Sequence, residues 1–156
     1  MAISSEIQQR IVDHIKSKGL RVTDQRLAII EAAFSTTDHY TADQLLTAAK
    51  NLDPLVSRAT VYRTLPLIVE TGLLHELDLG RDQKVYDPNY ADHPTHNHLI
   101  CLDCDKIFEF EDEKLEQKEN EISEKLGFKA ASKHIRIEAN CEKLKQSGTC
   151  NKTCEM

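Results

Sequence analysis

The sequence predicts an α+β chain in which a helical N-terminal module is followed by a small α/β module, and three observations carry that prediction. Apolar residues recur at three- and four-residue intervals early in the chain, as at Ile7, Ile11 and Ile15, which is the period of amphipathic helices. From residue 73 onward, short β-prone runs bounded by turn residues take over. All five cysteines lie at or beyond residue 101, so the two halves are built for different chemistry.

Taken in order, Ser5 is the expected cap of a helix over 6–18, and Gly19 supplies its stop. Thr23 opens a second helix with Leu27, Ile30 and Phe34 on its inner side. Thr41 with Gln44 three residues on forms a capping box for a helix to about Lys50, with Ala42, Leu45, Leu46 and Ala49 as its apolar residues. Pro54 marks the turn that follows, and Ser57 caps a further helix ending near Gly72. That helix turns Val61, Leu65 and Ile68 inward and Arg58, Thr60, Tyr62 and Arg63 outward. Pro66 falls inside it, which predicts a kink or a displaced helix end after Leu65. Two short helices joined by a tight turn, the second rich in Arg, Thr and Tyr, form a helix-turn-helix pattern. Strands over 73–79 and 84–87, joined by a turn at 80–83, add a wing bearing Arg81 and Lys84. The chain is therefore expected to begin with a winged helix-turn-helix domain over 1–87, the plainer alternative for these helices being a small helical bundle.

A Pro- and His-containing hinge at about 87–95 leads to the second domain, 96–156. There, strands over 99–101 and 107–110 form a hairpin whose turn holds the second thiol. A helix over 114–126, stopped by Gly127, and a strand over about 134–139 complete the module. So small a module has little core, and dimerising through its sheet or holding a metal would stabilise it.

Composition bounds the function. With 156 residues and 40% hydrophobic content the chain is of ordinary globular type. An odd number of late cysteines does not fit a secreted disulfide framework. Charged residues at helical intervals near the start do not fit a signal peptide, and no apolar run has membrane-spanning length. These features predict a cytoplasmic protein with no membrane association. The net charge of −6 is unevenly spread: residues 1–84 hold ten basic and eleven acidic residues, whereas the remainder holds ten and fifteen. The near-neutral first half can carry a basic face toward nucleic acid, with help from dimerisation or a bound cation.

The stretch from His96 to Cys104 places two imidazoles and two thiols within nine residues. In an extended segment, His96 and His98 point to one face and Cys101 to the other, so the donors belong to two metal sites rather than one. Cys101 and Cys104, with Cys141 and Cys150 downstream, offer the four thiolates of a structural zinc site, and Cys154 is a spare that could replace Cys150. The rival reading of C-x-x-C is a thiol redox pair, but that chemistry expects the motif at a helix N-terminus rather than between strands. His96 and His98, with Asp87 before them and Glu109 on the neighbouring strand, form a nitrogen and carboxylate set suited to Fe(II), Mn(II) or Zn(II). Surface histidines in a hinge are the plainer reading of any one of these rings, and their clustering beside the thiols favours a metal. A metal-buffering protein would show the same donors without DNA affinity.

The runs 19–23 with Arg26, 39–45 (HYTADQL), 57–65 (SRATVYRTL) and 96–104 (HNHLICLDC) resemble the ferric uptake regulator family, and the resemblance spans nearly the whole chain. It implies a homodimeric winged-helix repressor, not an enzyme, that binds double-stranded DNA at an AT-rich inverted repeat when a metal ion sets its shape. Carried over by motif, it implies a regulatory ion held by His39, Asp87, His96, His98 and Glu109, and a structural Zn(II) held by Cys101, Cys104, Cys141 and Cys150. Glu109 where peroxide-sensing relatives have Asp, Arg63 where they have Asn, and the lack of early cysteines imply an Fe(II) sensor, with Mn(II) or Zn(II) as alternatives. An auxiliary site is implied only in part, by Glu116 and a displaced His134, because Thr95 and Asn97 stand where relatives have ligands. DNA contacts fall to Arg58, Thr60, Tyr62 and Arg63, with Arg81 and Lys84 on the wing.

Overall fold

The computed structural model describes residues 3–78, 84–88, 96–131, 133, 135–142, 146 and 148. The chain divides into two compact units, Met1–Pro94 and Thr95–Met156.

In the first unit, α1 (Ser5–Ser17) is capped by Ser4, one residue earlier than the sequence predicts, its hydroxyl accepting from the Ile7 N–H. Gly19 follows its end at φ 71°, a left-handed conformation that glycine adopts without a Cβ penalty. Helix α2 (Asp24–Ala33), capped by Thr23, buries Ala28, Ile29, Ile30, Ala32 and Ala33. This is more than one stripe, so the predicted face of Leu27, Ile30 and Phe34 is too narrow for a helix enclosed on several sides. The two-residue strand β1 (Tyr40–Thr41) runs directly into α3 (Ala42–Leu52), and the predicted capping box of Thr41 and Gln44 is present in both directions.

Helix α4 (Arg58–Val69), capped by Ser57, passes through Pro66 and does not end after Leu65. The proline leaves the Tyr62 carbonyl without its usual backbone donor, a cost of about 3 kcal/mol in a regular helix. Leu65, Leu67 and Ile68 around it are buried, each contributing roughly 1.5–3 kcal/mol, which holds the last turn against that cost. Together with Ile11, Ile15, Ile29, Leu45 and Leu74, these side chains make the core of the unit. Strands β2 (His75–Asp78) and β3 (Lys84–Asp87) follow, and the antiparallel sheet has the order β1-β3-β2. The predicted first wing strand is shorter than expected because Leu73 and Leu74 belong to the core. The turn at 80–83, with Arg81, lies outside the described residues.

The second unit is built on β4 (Asn97–Cys101), β5 (Ile107–Phe110) and β6 (Arg136–Ala139), in the order β5-β4-β6. Strand β5 is antiparallel to β4, and β6 is parallel to it. Between β5 and β6 lies α5 (Glu113–Lys125), whose N-cap Asp112 accepts from the backbone of Lys114 and Leu115. No residue of α5 is buried, and Ile122, Leu126 and Phe128 are more than half exposed. Among the described residues no helix is long and apolar enough to cross a membrane.

Candidate metal centre

In the first unit, the register Tyr40↔Tyr86 of β1 and β3 brings His39 beside Asp87 when continued by one step. The two side chains offer ligand atoms within 4.8 Å of each other. Asp87 has no exposed surface. A buried carboxylate needs a cation or several donors, because its desolvation is otherwise unrecovered. Neighbouring Tyr40 does not meet that need, since its hydroxyl donates to the Ala33 carbonyl at 2.9 Å. Burial, and then the charge of Asp87, push the Tyr40 phenol far above its ordinary range, which keeps it neutral. Tyr40 and Tyr86 stack at 6.2 Å and wall this end of the sheet.

In the second unit, the pleat does what the sequence predicts for the histidines. His96 and His98 are each 3% exposed, and their Nε2 atoms lie 3.1 Å apart with the rings edge to face. Two ligands at bond lengths of about 2.0–2.1 Å on one tetrahedral ion would be about 3.3–3.4 Å apart, close to this separation. Glu109 is the direct cross-strand partner of His98 and offers an oxygen within 4.8 Å of the imidazole. Each unit thus presents nitrogen and oxygen donors together, a buried Asp87 beside half-buried His39 in the first and buried His96 and His98 beside half-buried Glu109 in the second.

The thiols occupy another part of the second unit. Cys101 ends β4 and Cys104 lies in the β4–β5 turn, where Asp105 adopts φ 56°, a left-handed conformation that Asp tolerates better than most residues. Cys101 is buried, and neither Cys101, Cys104 nor Cys141 forms a disulfide. Burial pushes the Cys101 thiol up, but hydrogen bonds from the backbone of Asp103 and from Cys104 outweigh it and hold the thiol below its ordinary range. That favours the thiolate, the form that binds zinc. Cys141 is brought to this turn by the sheet: Cys101 pairs with Ala139, and the Asp103 carboxylate accepts from the Cys141 N–H and, at 3.2 Å, from Asn140. Sequence reasoning missed Asp103, although its place between the two cysteines was the available signal. Cys150 and Cys154 lie outside the described residues.

Among the residues read as auxiliary ligands, Glu116 faces the Lys133 ammonium at 3.4 Å, and Lys133 also donates to Asn120 at 3.0 Å. Asn97 accepts from the Ile135 N–H at 3.1 Å, which closes the entry to β6. His134 lies outside the described residues.

Of the predicted DNA-contact face, Tyr62 is 50% exposed and Arg63 is exposed. Arg58 is exposed and pairs with Asp43 at 2.9 Å, and Lys84 pairs with Glu76 at 2.7 Å. Thr60 departs from the outward position predicted for it. It is half-buried, with its hydroxyl bonded to Ser57 and, at 3.1 Å, to Gln25 of α2, because it doubles as the capped third residue of the helix.

The ferric uptake regulator family model matches residues 17–138. A ferric uptake regulation protein of Haemophilus ducreyi is 34% identical over 133 residues, covering 83% of this chain and 88% of its own length. The peroxide operon regulator of Bacillus subtilis is also 34% identical, over 131 residues, covering 84% and 88%. Among solved structures, the ferric uptake regulator of Francisella tularensis with iron superposes with a TM-score of 0.70 at 27% identity, covering 81% of this chain and 96% of that one. That of Pseudomonas aeruginosa with manganese gives 0.70 at 26%, covering 83% and 96%.

Proposed function

The chain belongs to the ferric uptake regulator family of metal-responsive, DNA-binding transcription regulators, and from that premise we propose that it is a cytoplasmic homodimeric repressor switched by one Fe(II) ion per subunit. The ion would be held by His39 and Asp87 from the first unit and by His96, His98 and Glu109 from the second. The observation that carries this reading is the division of the donors. Each unit contributes imidazole and carboxylate donors, with Asp87, His96 and His98 buried and His39 and Glu109 half-buried, and neither set alone supplies all the ligands of the proposed ion. An ion that takes ligands from both cross-links the DNA-binding unit to its neighbour and favours one arrangement of the pair. If that arrangement is about 1% of the metal-free protein, an ion preferring it about 10⁴-fold, or about 5.5 kcal/mol, raises it to about 99%.

A second ion, Zn(II), would be structural, held by Cys101, Cys104, Cys141 and Cys150. Thiolates suit zinc, whereas the imidazole and carboxylate set suits an exchangeable first-row ion. Manganese is the second reading for the regulatory ion, favoured by the manganese-bound relative and by ligand preferences that overlap those of Fe(II). Dimerisation is supported by α5 and the turn after it, where no residue is fully buried and Ile122, Leu126 and Phe128 are left exposed for a partner. The DNA face would comprise Arg58, Tyr62 and Arg63 of α4 with Arg81 and Lys84 of the wing, and its target an AT-rich inverted repeat.

The test is anaerobic DNA binding to such a repeat, with Fe(II), Mn(II) and Zn(II) titrated separately into protein retaining its tightly bound zinc. Binding switched on by Fe(II) or Mn(II), and lost in His96→Ala, supports the reading, and the ion effective at lower concentration is the signal. Affinity that no ion changes refutes it.

A further inference from the structure

Asp87 is flanked by a second imidazole that the proposed ligand set leaves out. It sits on the central strand of the order β1-β3-β2, and its direct partner on β2 is His75. His39 lies on the other flank, one step beyond the Tyr40↔Tyr86 pair. Directly opposed residues of antiparallel strands project from the same face, about 4.5–5.5 Å apart at Cβ. His39, Asp87 and His75 therefore form a row across three strands at one end of the sheet, on the face opposite Tyr40 and Tyr86.

Position in the row separates the roles of the two histidines. They stand two strand spacings apart, about 9–10 Å, so an ion bonded on the His39 side of Asp87 lies beyond bonding distance of the ring on the far side. A carboxylate has about four lone-pair sites, and an ion takes only some of them. Because Asp87 is fully buried, the remaining sites require donors from the protein.

We propose that His75 is a positioning residue for Asp87, donating a ring N–H to the carboxylate oxygen turned away from the ion and thereby fixing the direction in which the other oxygen binds. The proposal rests on the reading of Asp87 as a regulatory ligand. Such outer partners orient a ligand without touching the metal, and their loss lowers metal affinity by about 10- to 100-fold.

The experiment titrates Co(II) into the zinc-retaining protein and follows both affinity and the visible ligand-field bands. Expected for His75→Ala is affinity about 10- to 100-fold lower with unchanged band positions, and recovery of most of it in His75→Gln, which keeps an N–H donor. His39→Ala, which removes a ligand, shifts the bands. His75→Ala affinity within about twofold of the parent, His75→Gln as weak as His75→Ala, or bands displaced by His75→Ala would each overturn the positioning role. Should His39→Ala and Asp87→Asn also leave Co(II) binding unchanged, the regulatory site itself is what fails.

Discussion

Asp103→Ala removes a side chain that ties Cys141 to the Cys101–Cys104 turn. The β4–β6 ladder ends at Cys101 and Ala139, with Leu102 donating to the Ala139 carbonyl at 2.9 Å. Beyond that point, the Asp103 carboxylate bonds the Cys141 N–H and the Asn140 side chain. A hydrogen bond to a charged acceptor contributes about 1.5–3 kcal/mol. Asp103 is exposed, so the low end applies to the Cys141 contact, and about 0.5 kcal/mol is reasonable for the looser Asn140 contact. The loss is then about 2 kcal/mol of order at the third thiolate, or about thirtyfold in zinc affinity. Competition against a chromogenic zinc chelator reads it directly, with Asp103→Asn falling between parent and alanine variant. The reasoning is refuted if Asp103→Ala holds zinc as tightly as the parent while Cys101→Ser releases it. Retention of zinc by Cys101→Ser would instead remove the thiol assignment.

His98→Ala should lower the affinity of metal-loaded protein for operator DNA at least about tenfold, about 1.4 kcal/mol, while leaving the circular dichroism of the folded chain intact. Pro66→Ala should stabilise the first unit by up to about 3 kcal/mol, because the new N–H can bond the Tyr62 carbonyl at an exposed position. The urea midpoint reads this, and an unchanged midpoint would mean that the carbonyl is already satisfied. Glu70, at the end of α4, is held below the usual carboxylate range by its hydrogen bond to Lys18 of the α1 terminus and then by that to His14. A depressed acid stabilises above its unfolded value, about 4.3, and loses that contribution as pH falls through the folded value. Glu70→Gln should therefore lower the melting temperature at pH 7, and the difference should shrink below about pH 4.

The capping box of Thr41 and Gln44, the Ser57 cap and the strand over Ile107–Phe110 were legible because each is a local pattern. The facing of His96 and His98 was equally legible, since parity along one strand decides it. Three features were not. The adjacency of His39 and Asp87 depends on a two-residue strand pairing across more than forty residues, too short to show alternation, and His39 entered only through family resemblance. The Asp103 anchor depends on the parallel pairing of β4 and β6, which no local signal encodes. Thr60 satisfies an outward helical period, but its hydroxyl is taken by the cap and by Gln25 of α2, a contact that only tertiary packing reveals.

The junction at residues 39–42 has a mechanical consequence. His39 abuts β1, and Thr41 is at once the last residue of that strand and the cap of α3, the first helix of the helix-turn-helix. Tyr40 between them is buried and tethered to α2 through the Ala33 carbonyl. No loop residue intervenes to absorb a displacement of His39, so force applied at the imidazole reaches α3 through a lever without compliance. Inserting one or two glycines between His39 and Tyr40 would add that missing slack, uncoupling traction at the imidazole from the orientation of the helix-turn-helix.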